Sequence, residues 1–124
     1  MKKSNLYQTV ISTKHDRRRH LEGEDRDILV FYYSSHKGTP EWKKSQTETK
    51  AIYALQRQIR AHDLEKFTKV VTHDVHTEGY PEEVLDFPIP AVFLHVKGES
   101  KPLHFNGTNV SPYFLFNWIH KNTK

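Results

Sequence analysis

The stretch Asp27-Ile28-Leu29-Val30-Phe31-Tyr32-Tyr33-Ser34-Ser35-His36-Lys37-Gly38-Thr39-Pro40-Glu41-Trp42 contains three successive patterns. Residues 28–33 form an uncharged apolar and aromatic run, which predicts a strand buried on both faces in the middle of a sheet. A small polar loop follows at residues 34–38. Residues 39–41 then favour a helix start, with threonine as the N-cap, proline at the first helical position and an acid in the first turn. A strand, a short loop and a helix N-terminus together form a common place for ligands or chemistry in α/β proteins.

The composition limits the possible functions. The chain has 124 residues, which predicts one domain over residues 1–124, with residues 1–5 and 122–124 as frayed ends. It contains no cysteine, so it cannot form a disulfide, a zinc–thiolate site or an iron–sulfur cluster, and no cofactor is predicted. The formal net charge of +4 is compatible with an acidic partner or RNA but is not diagnostic. No apolar run approaches the roughly 20 residues of a membrane-spanning helix.

Hydrophobic periodicity and turn residues predict an order of elements along the chain. Strands are expected at residues 6–11, 28–33, 67–75, 91–96 and 101–105. Helices are expected at residues 41–64, with a bend near 45–47, and at 113–121, with a weak helix before the second strand and a short one near 81–85. Strands joined by a long helical crossover are parallel, so the second and third strands should pair in that way.

This order resembles the thioredoxin fold, and four segments carry the resemblance. The first, Asp27-Ile28-Leu29-Val30-Phe31-Tyr32, is similar to the strand before the active-site loop in the protein disulfide isomerase branch, and the second, Val71-Thr72-His73-Asp74, resembles the next strand with its terminal acid. The third, Phe87-Pro88-Ile89-Pro90-Ala91-Val92-Phe93-Leu94, resembles the segment with the cis-proline. The fourth, Pro102-Leu103-His104-Phe105-Asn106-Gly107 with the run through Trp118-Ile119, resembles the closing strand, turn and helix. The resemblance implies a thioredoxin-like α/β domain with a central mixed sheet of four or five strands flanked by helices.

The sequence departs from the family at the active-site loop. If Phe31-Tyr32 is set on the family's strand, His36-Lys37-Gly38-Thr39 stands where a redox-active member has Cys-x-x-Cys. Thiol–disulfide exchange needs a thiolate to attack a disulfide sulfur, and neither His36 nor Thr39 can do so. The resemblance therefore implies the fold without the family's usual reaction, and we expect a redox-inactive domain that is not a thiol–disulfide enzyme.

By the same resemblance, Pro90 is expected to be the cis-proline, with Pro88 as the competing position. The residue before it, Ile89, would present its backbone to an extended substrate, so a protein or extended peptide is the expected partner. The candidate groove consists of Ser35, His36, Lys37, Gly38, Thr39, Ile89 and Pro90. The predicted function is a binding, chaperone-like or assembly module. A vestigial groove, in which Pro90 only shapes the sheet edge, remains the alternative.

Two further patches suggest other functions. Arg17, Arg18 and Arg19 form either a solvated surface or a patch for phosphate or an acidic partner, and the latter would suit a basic structural subunit of a larger assembly such as a ribonucleoprotein. Ser34 or Ser35 could act as a nucleophile only beside a base and an oxyanion hole, which would make the loop a non-thiol enzyme site.

Three further motifs in the chain carry a weaker functional signal. The spacing His73-x-x-His76 suits a metal, but a strand places residues three apart on opposite faces, so no metal site is predicted. His36 and Lys37 at a helix N-terminus could bind a phosphate or carboxylate. Asn106-Gly107-Thr108 matches the N-glycosylation pattern, which matters only in the secretory pathway. The endoplasmic reticulum lumen, as a processed domain, and the cytoplasm are both open as locations.

Overall fold

A mixed four-stranded sheet lies at the centre of the part of the chain that the structure, a computed structural model, describes, namely residues 26–105 and 110–123. The strands are β1 (Asp27–Tyr33), β2 (Thr68–Asp74), β3 (Ala91–His95) and β4 (Leu103–His104), in the spatial order β2-β1-β3-β4. β1 pairs in parallel with β2 and antiparallel with β3. The predicted parallel pair and the central position of the apolar strand are thus confirmed.

The helices within these residues are α1 (Pro40–Ala61), α2 (Val75–Glu78) and α3 (Pro112–Asn122), with a 3₁₀ turn at Glu82–Val84. The Oγ1 atom of Thr39 accepts a hydrogen bond from the Trp42 N–H at 3.1 Å, and the Oγ atom of Ser111 accepts one from the Phe114 N–H at 3.2 Å. The N-cap predicted at Thr39 is therefore confirmed, and Ser111 caps α3 in the same way, with proline at the start of each helix.

Several predicted boundaries were wrong. α1 ends at Ala61 rather than at residue 64, because Asp63 adopts a φ of 59°, a left-handed conformation that no helix can contain. α1 is also continuous through residues 45–47, where a bend was expected. Val75, expected to end a strand, instead begins α2, since the Asp74 side chain caps that helix. β4 pairs over two residues instead of five.

Side chains on the two faces of β1 enter two separate core clusters. Leu29 and Phe31 pack on the face covered by α1 and α3, and their buried partners include Ile52, Leu55, Ile59, Leu115 and Ile119. Val30 and Tyr32 pack on the opposite face with Val71, Val84 and Phe93 among others. Burying one such large apolar side chain contributes about 1.5–3 kcal/mol, so the central strand is the main anchor of the fold.

The aromatic residues near the core differ in their exposure. Phe114 is 48 % exposed, because the apolar stripe of α3 runs through Leu115 and Ile119, which are four residues apart, and Phe114 lies to one side of it. Phe93 is buried, and Trp118 is half-buried against the core.

Several predictions fall on residues outside 26–105 and 110–123. They are the strand at 6–11, the weak helix that follows it, the basic residues Arg17 to Arg19, the turn at 106–107 and the glycosylation motif at Asn106. Among the described helices, none is long and apolar enough to cross a membrane.

Candidate functional site at the loop after β1

The loop after β1 is tied to two neighbouring elements through its backbone. The Ser34 N–H donates to the Ser45 Oγ on α1 at 3.1 Å, and both serines are buried. The Ser35 N–H donates to the Asp74 Oδ1 at the end of β2, also at 3.1 Å. Gly38 has a φ of 88°, a conformation that favours glycine, immediately before the Thr39 N-cap. The loop is therefore held in one place at the carboxyl end of the parallel strand pair.

Asp74 is the residue that organises this region, and it was not among the site residues predicted from the sequence. Its carboxylate accepts hydrogen bonds from the N–H groups of Ser35 and His76 and from the hydroxyls of Ser35 and Thr77. Burial opposes ionisation, but these hydrogen bonds outweigh it and lower the pKa of Asp74 below its ordinary value. The acid at the end of this strand was the signal in the sequence, although its partner Ser35 is 39 residues away in the chain.

The exposed part of the loop contains His36 and Lys37, the pair that could bind a phosphate or carboxylate. The His36 ring stacks on the ring of His76, with centroids 4.5 Å apart and an interplanar angle of 11°. His73 is elsewhere, almost completely buried, with its Nε2 atom 2.7 Å from the Gly79 carbonyl oxygen. The two histidine rings thus have different partners, the Gly79 carbonyl for His73 and the His36 ring for His76. Within the described residues, no group of three or more histidines, cysteines or acids could hold a metal ion.

Two of the three hydroxyl groups of the loop form hydrogen bonds with the backbone. The Ser34 Oγ accepts from the His36 N–H, and the Thr39 Oγ1 donates to the His36 carbonyl at 2.7 Å. Ser35 is the one hydroxyl of the three with a carboxylate beside it, that of Asp74. The lowered pKa of Asp74 makes this carboxylate a weak proton acceptor, which is unfavourable for activating a serine nucleophile.

The segment before β3 continues along the same edge. Ala91, the first residue of β3, pairs with Tyr32, so Ile89 and Pro90 directly precede β3 at the end of the sheet where β1 leads into its loop. The Ile89–Pro90 peptide bond is cis. The Ile89 side chain is buried in the second core cluster, whereas its N–H and carbonyl have no hydrogen-bond partner among the described residues. The predicted groove residues thus belong to two segments at this end of the sheet, the loop after β1 and the residues before β3.

Comparison with known proteins defines the class of this domain. No protein-family model and no curated protein matches the sequence. Among solved structures, a thioredoxin from Trypanosoma brucei brucei is 14 % identical with a TM-score of 0.66, over 98 % of this chain and 95 % of the other. The Trx4 domain of ERdj5 is also 14 % identical, with a TM-score of 0.66 over 94 % and 95 % of the two chains. Zinc-bound human ERp44 is 15 % identical with a TM-score of 0.66, over 93 % of this chain and 32 % of the other.

The domain has the thioredoxin-like fold, and the predicted fold class is confirmed. It is similar both to thioredoxins and to protein disulfide isomerase-like domains. None of its 124 residues is a cysteine, so it has no Cys-x-x-Cys motif and no thiolate for thiol–disulfide exchange.

Proposed function

We propose that this domain binds an extended peptide by main-chain pairing at Ile89, without redox chemistry. The observation that carries the proposal is the state of the Ile89 backbone. Its N–H and carbonyl have no partner among the described residues, while its buried side chain fixes their position. An unpaired donor and acceptor held at a fixed position are what a peptide strand needs in order to pair with main-chain groups of the domain.

The loop after β1 also favours peptide binding. Ser34 and Ser35 are anchored to α1 and β2, so the loop adds little ordering cost when a ligand binds. His36, Lys37 and Gly38 are exposed and can contact the ligand's side chains. Recognition through main-chain groups depends little on the ligand's sequence. A chaperone-like or assembly role, in which many unfolded segments are accepted, would follow from it.

An NMR titration of the ¹⁵N-labelled domain with extended, uncharged peptides tests the proposal. We expect shifted amides at residues 35–39 and 89–91. A strand uses alternate residues to pair with one edge, so N-methylation of one alternate set of peptide residues should abolish binding and N-methylation of the other set should preserve it. Equal effects of the two methylated peptides, or shifts confined to other surfaces, would contradict strand addition at Ile89.

The second candidate function, a basic subunit of a ribonucleoprotein assembly, stays a prediction. Its residues Arg17, Arg18 and Arg19 lie outside the described part of the chain. Phosphate-driven binding weakens steeply as salt is raised. RNA affinity that falls with salt and is lost in the triple Arg→Ala variant would favour this function over peptide binding.

A further inference from the structure

A pocket of about 220 Å³ opens between the carboxyl ends of β1 and β2 and the first half of α1. Its lining includes four aromatic rings, those of Phe31, Tyr33, Trp42 and Tyr53. The first two rings are stacked, with centroids 5.8 Å apart and an interplanar angle of 12°. The pocket shares Ser35 with the candidate groove, but neither Ile89 nor Pro90 lines it, so it is separate from the proposed main-chain pairing site at Ile89.

The chemistry of the lining indicates an uncharged ligand. Among the described residues, no charged side chain lines the pocket; the polar groups of its lining side chains are hydroxyls, the Gln46 amide and the indole N–H of Trp42. The hydroxyls of Tyr33 and Tyr53 have no hydrogen-bond partner among the described residues. Burial and the nearby Asp74 carboxylate raise the pKa of Tyr33, so its hydroxyl remains a donor at neutral pH. Among the described residues, the lining itself offers no charged group with which a phosphate, a carboxylate or a metal ion could pair.

The size and the aromatic walls narrow the ligand class further. A cavity of roughly 150 Å³ holds benzene, so this pocket has room for one ring, or a compact bicycle, with a polar substituent. Aromatic walls favour another aromatic ring in edge-to-face or offset-stacked geometry. We propose that this pocket binds a phenol or indole ring, with the ring's O–H or N–H hydrogen-bonded to the pocket hydroxyls. The ring could belong to a free small molecule or to a tyrosine or tryptophan side chain of a peptide.

Titrations with 4-methylphenol and 3-methylindole, followed by NMR, test the proposal. We expect both to shift the amides of residues 33–35 and 45–53, with methyl glucoside giving no such shifts. The threonines at 47 and 49 provide matched variants, because both hydroxyls donate to the carbonyl four residues earlier in α1. Thr49 lines the pocket and Thr47 does not. Thr49→Leu should fill the pocket and weaken binding by about tenfold or more, whereas Thr47→Leu should leave it unchanged.

A second variant tests the hydrogen bond rather than the space. Tyr53→Phe keeps the ring and removes one hydroxyl, so it should weaken 4-methylphenol several-fold and leave toluene unaffected. Comparing a peptide containing one tyrosine with its Tyr→Ala counterpart then distinguishes the two sources of the ring. Binding of methyl glucoside in place of the aromatic compounds, or equal effects of Thr49→Leu and Thr47→Leu, would overturn the proposal.

Discussion

The Gln56 side chain is completely buried on α1, yet neither its amide nitrogen nor its amide oxygen has a hydrogen-bond partner among the described residues. A buried polar group without a partner costs about 1–3 kcal/mol, because it has lost its hydrogen bonds to water. Ile52 and Ile59, on the same side of the helix, are buried as well. Gln56 therefore reduces the stability of the surrounding core.

Replacement of this amide should stabilise the domain. Gln56→Met has a similar length, keeps a good helix former and removes both unpaired atoms, so we expect the free energy of unfolding to rise by about 1–2 kcal/mol. Urea denaturation at pH 7 measures the change, with Gln46→Met at an exposed position of the same helix as the control. A loss of stability in Gln56→Met would mean that the amide has a partner of its own.

Asp74 makes stability depend on pH in a defined direction. Its pKa is lowered in the folded domain, so the unfolded chain binds its proton more readily. The contribution of Asp74 to the free energy of unfolding is complete above the pKa of aspartate in the unfolded chain, about 3.9. It is lost as the pH falls through the lower pKa of Asp74 in the folded domain.

Asp74→Asn isolates that contribution. The amide accepts weaker hydrogen bonds from the loop, so we expect a loss of about 1–2 kcal/mol at pH 7. The difference between the two proteins should shrink progressively below about pH 4 as Asp74 becomes protonated. Denaturant melts at pH 7, 4 and 3 measure it. A difference that stays constant over this range would show that the charge of Asp74 has no role.

At the scale of elements, β4 is a short edge strand that is held by a ring contact as well as by pairing. The His104 ring lies 4.4 Å from the ring centroid of Phe87 and 5.0 Å from that of Phe93. Burial among these rings lowers the pKa of His104. A proton on this imidazole therefore favours the unfolded chain.

Acidification should weaken the attachment of β4. The contribution of the neutral His104 ring to the free energy of unfolding is complete above the pKa of histidine in the unfolded chain, about 6.5. It falls as the pH drops from that value toward the lower pKa of His104 in the folded domain. His104→Phe retains an aromatic ring between its neighbours and cannot be protonated. Its free energy of unfolding, relative to that of the wild type, should therefore rise as the pH is lowered from 7.5 to 5. Thermal or urea melts at both pH values measure this. His104→Gln, which loses the ring but is also uncharged, should show the same pH trend from a lower baseline.

For the whole molecule, β1 is the strand on which the described fold depends. It pairs with a strand on each side, and its side chains enter both core clusters. Such a strand can open only when both clusters separate, whereas the two-residue β4 can detach alone.

Native-state hydrogen exchange should show this hierarchy. We expect the amides of β1 to exchange through global unfolding and to report the full stability of the domain, and those near β4 to exchange through smaller openings. Leu29→Ala, which removes a buried side chain from the face of α1 and α3, should cost about 2–5 kcal/mol and speed exchange throughout β1. Equal protection in β1 and β4 would indicate that the domain opens only as one unit.

Local sequence patterns determined the elements of this protein. The uncharged run at β1, the apolar stripe through Ile52, Leu55 and Ile59, and the Thr39-Pro40 and Ser111-Pro112 caps each depend on neighbours within a few residues. Their order was enough to predict the thioredoxin-like fold. The absence of cysteine was enough to exclude thiol chemistry by these residues.

Only the tertiary structure determined how the site is assembled. The hydrogen bond from Ser35 to Asp74 joins residues 39 positions apart, and the stack of His36 on His76 likewise joins two separate elements. The aromatic pocket takes its walls from three elements, and the buried Gln56 is hidden in a polar-looking stretch of helix. These features come from the close approach of distant segments, which is set by packing across the sheet. Periodicity and capping act only over one or two turns and so cannot encode them.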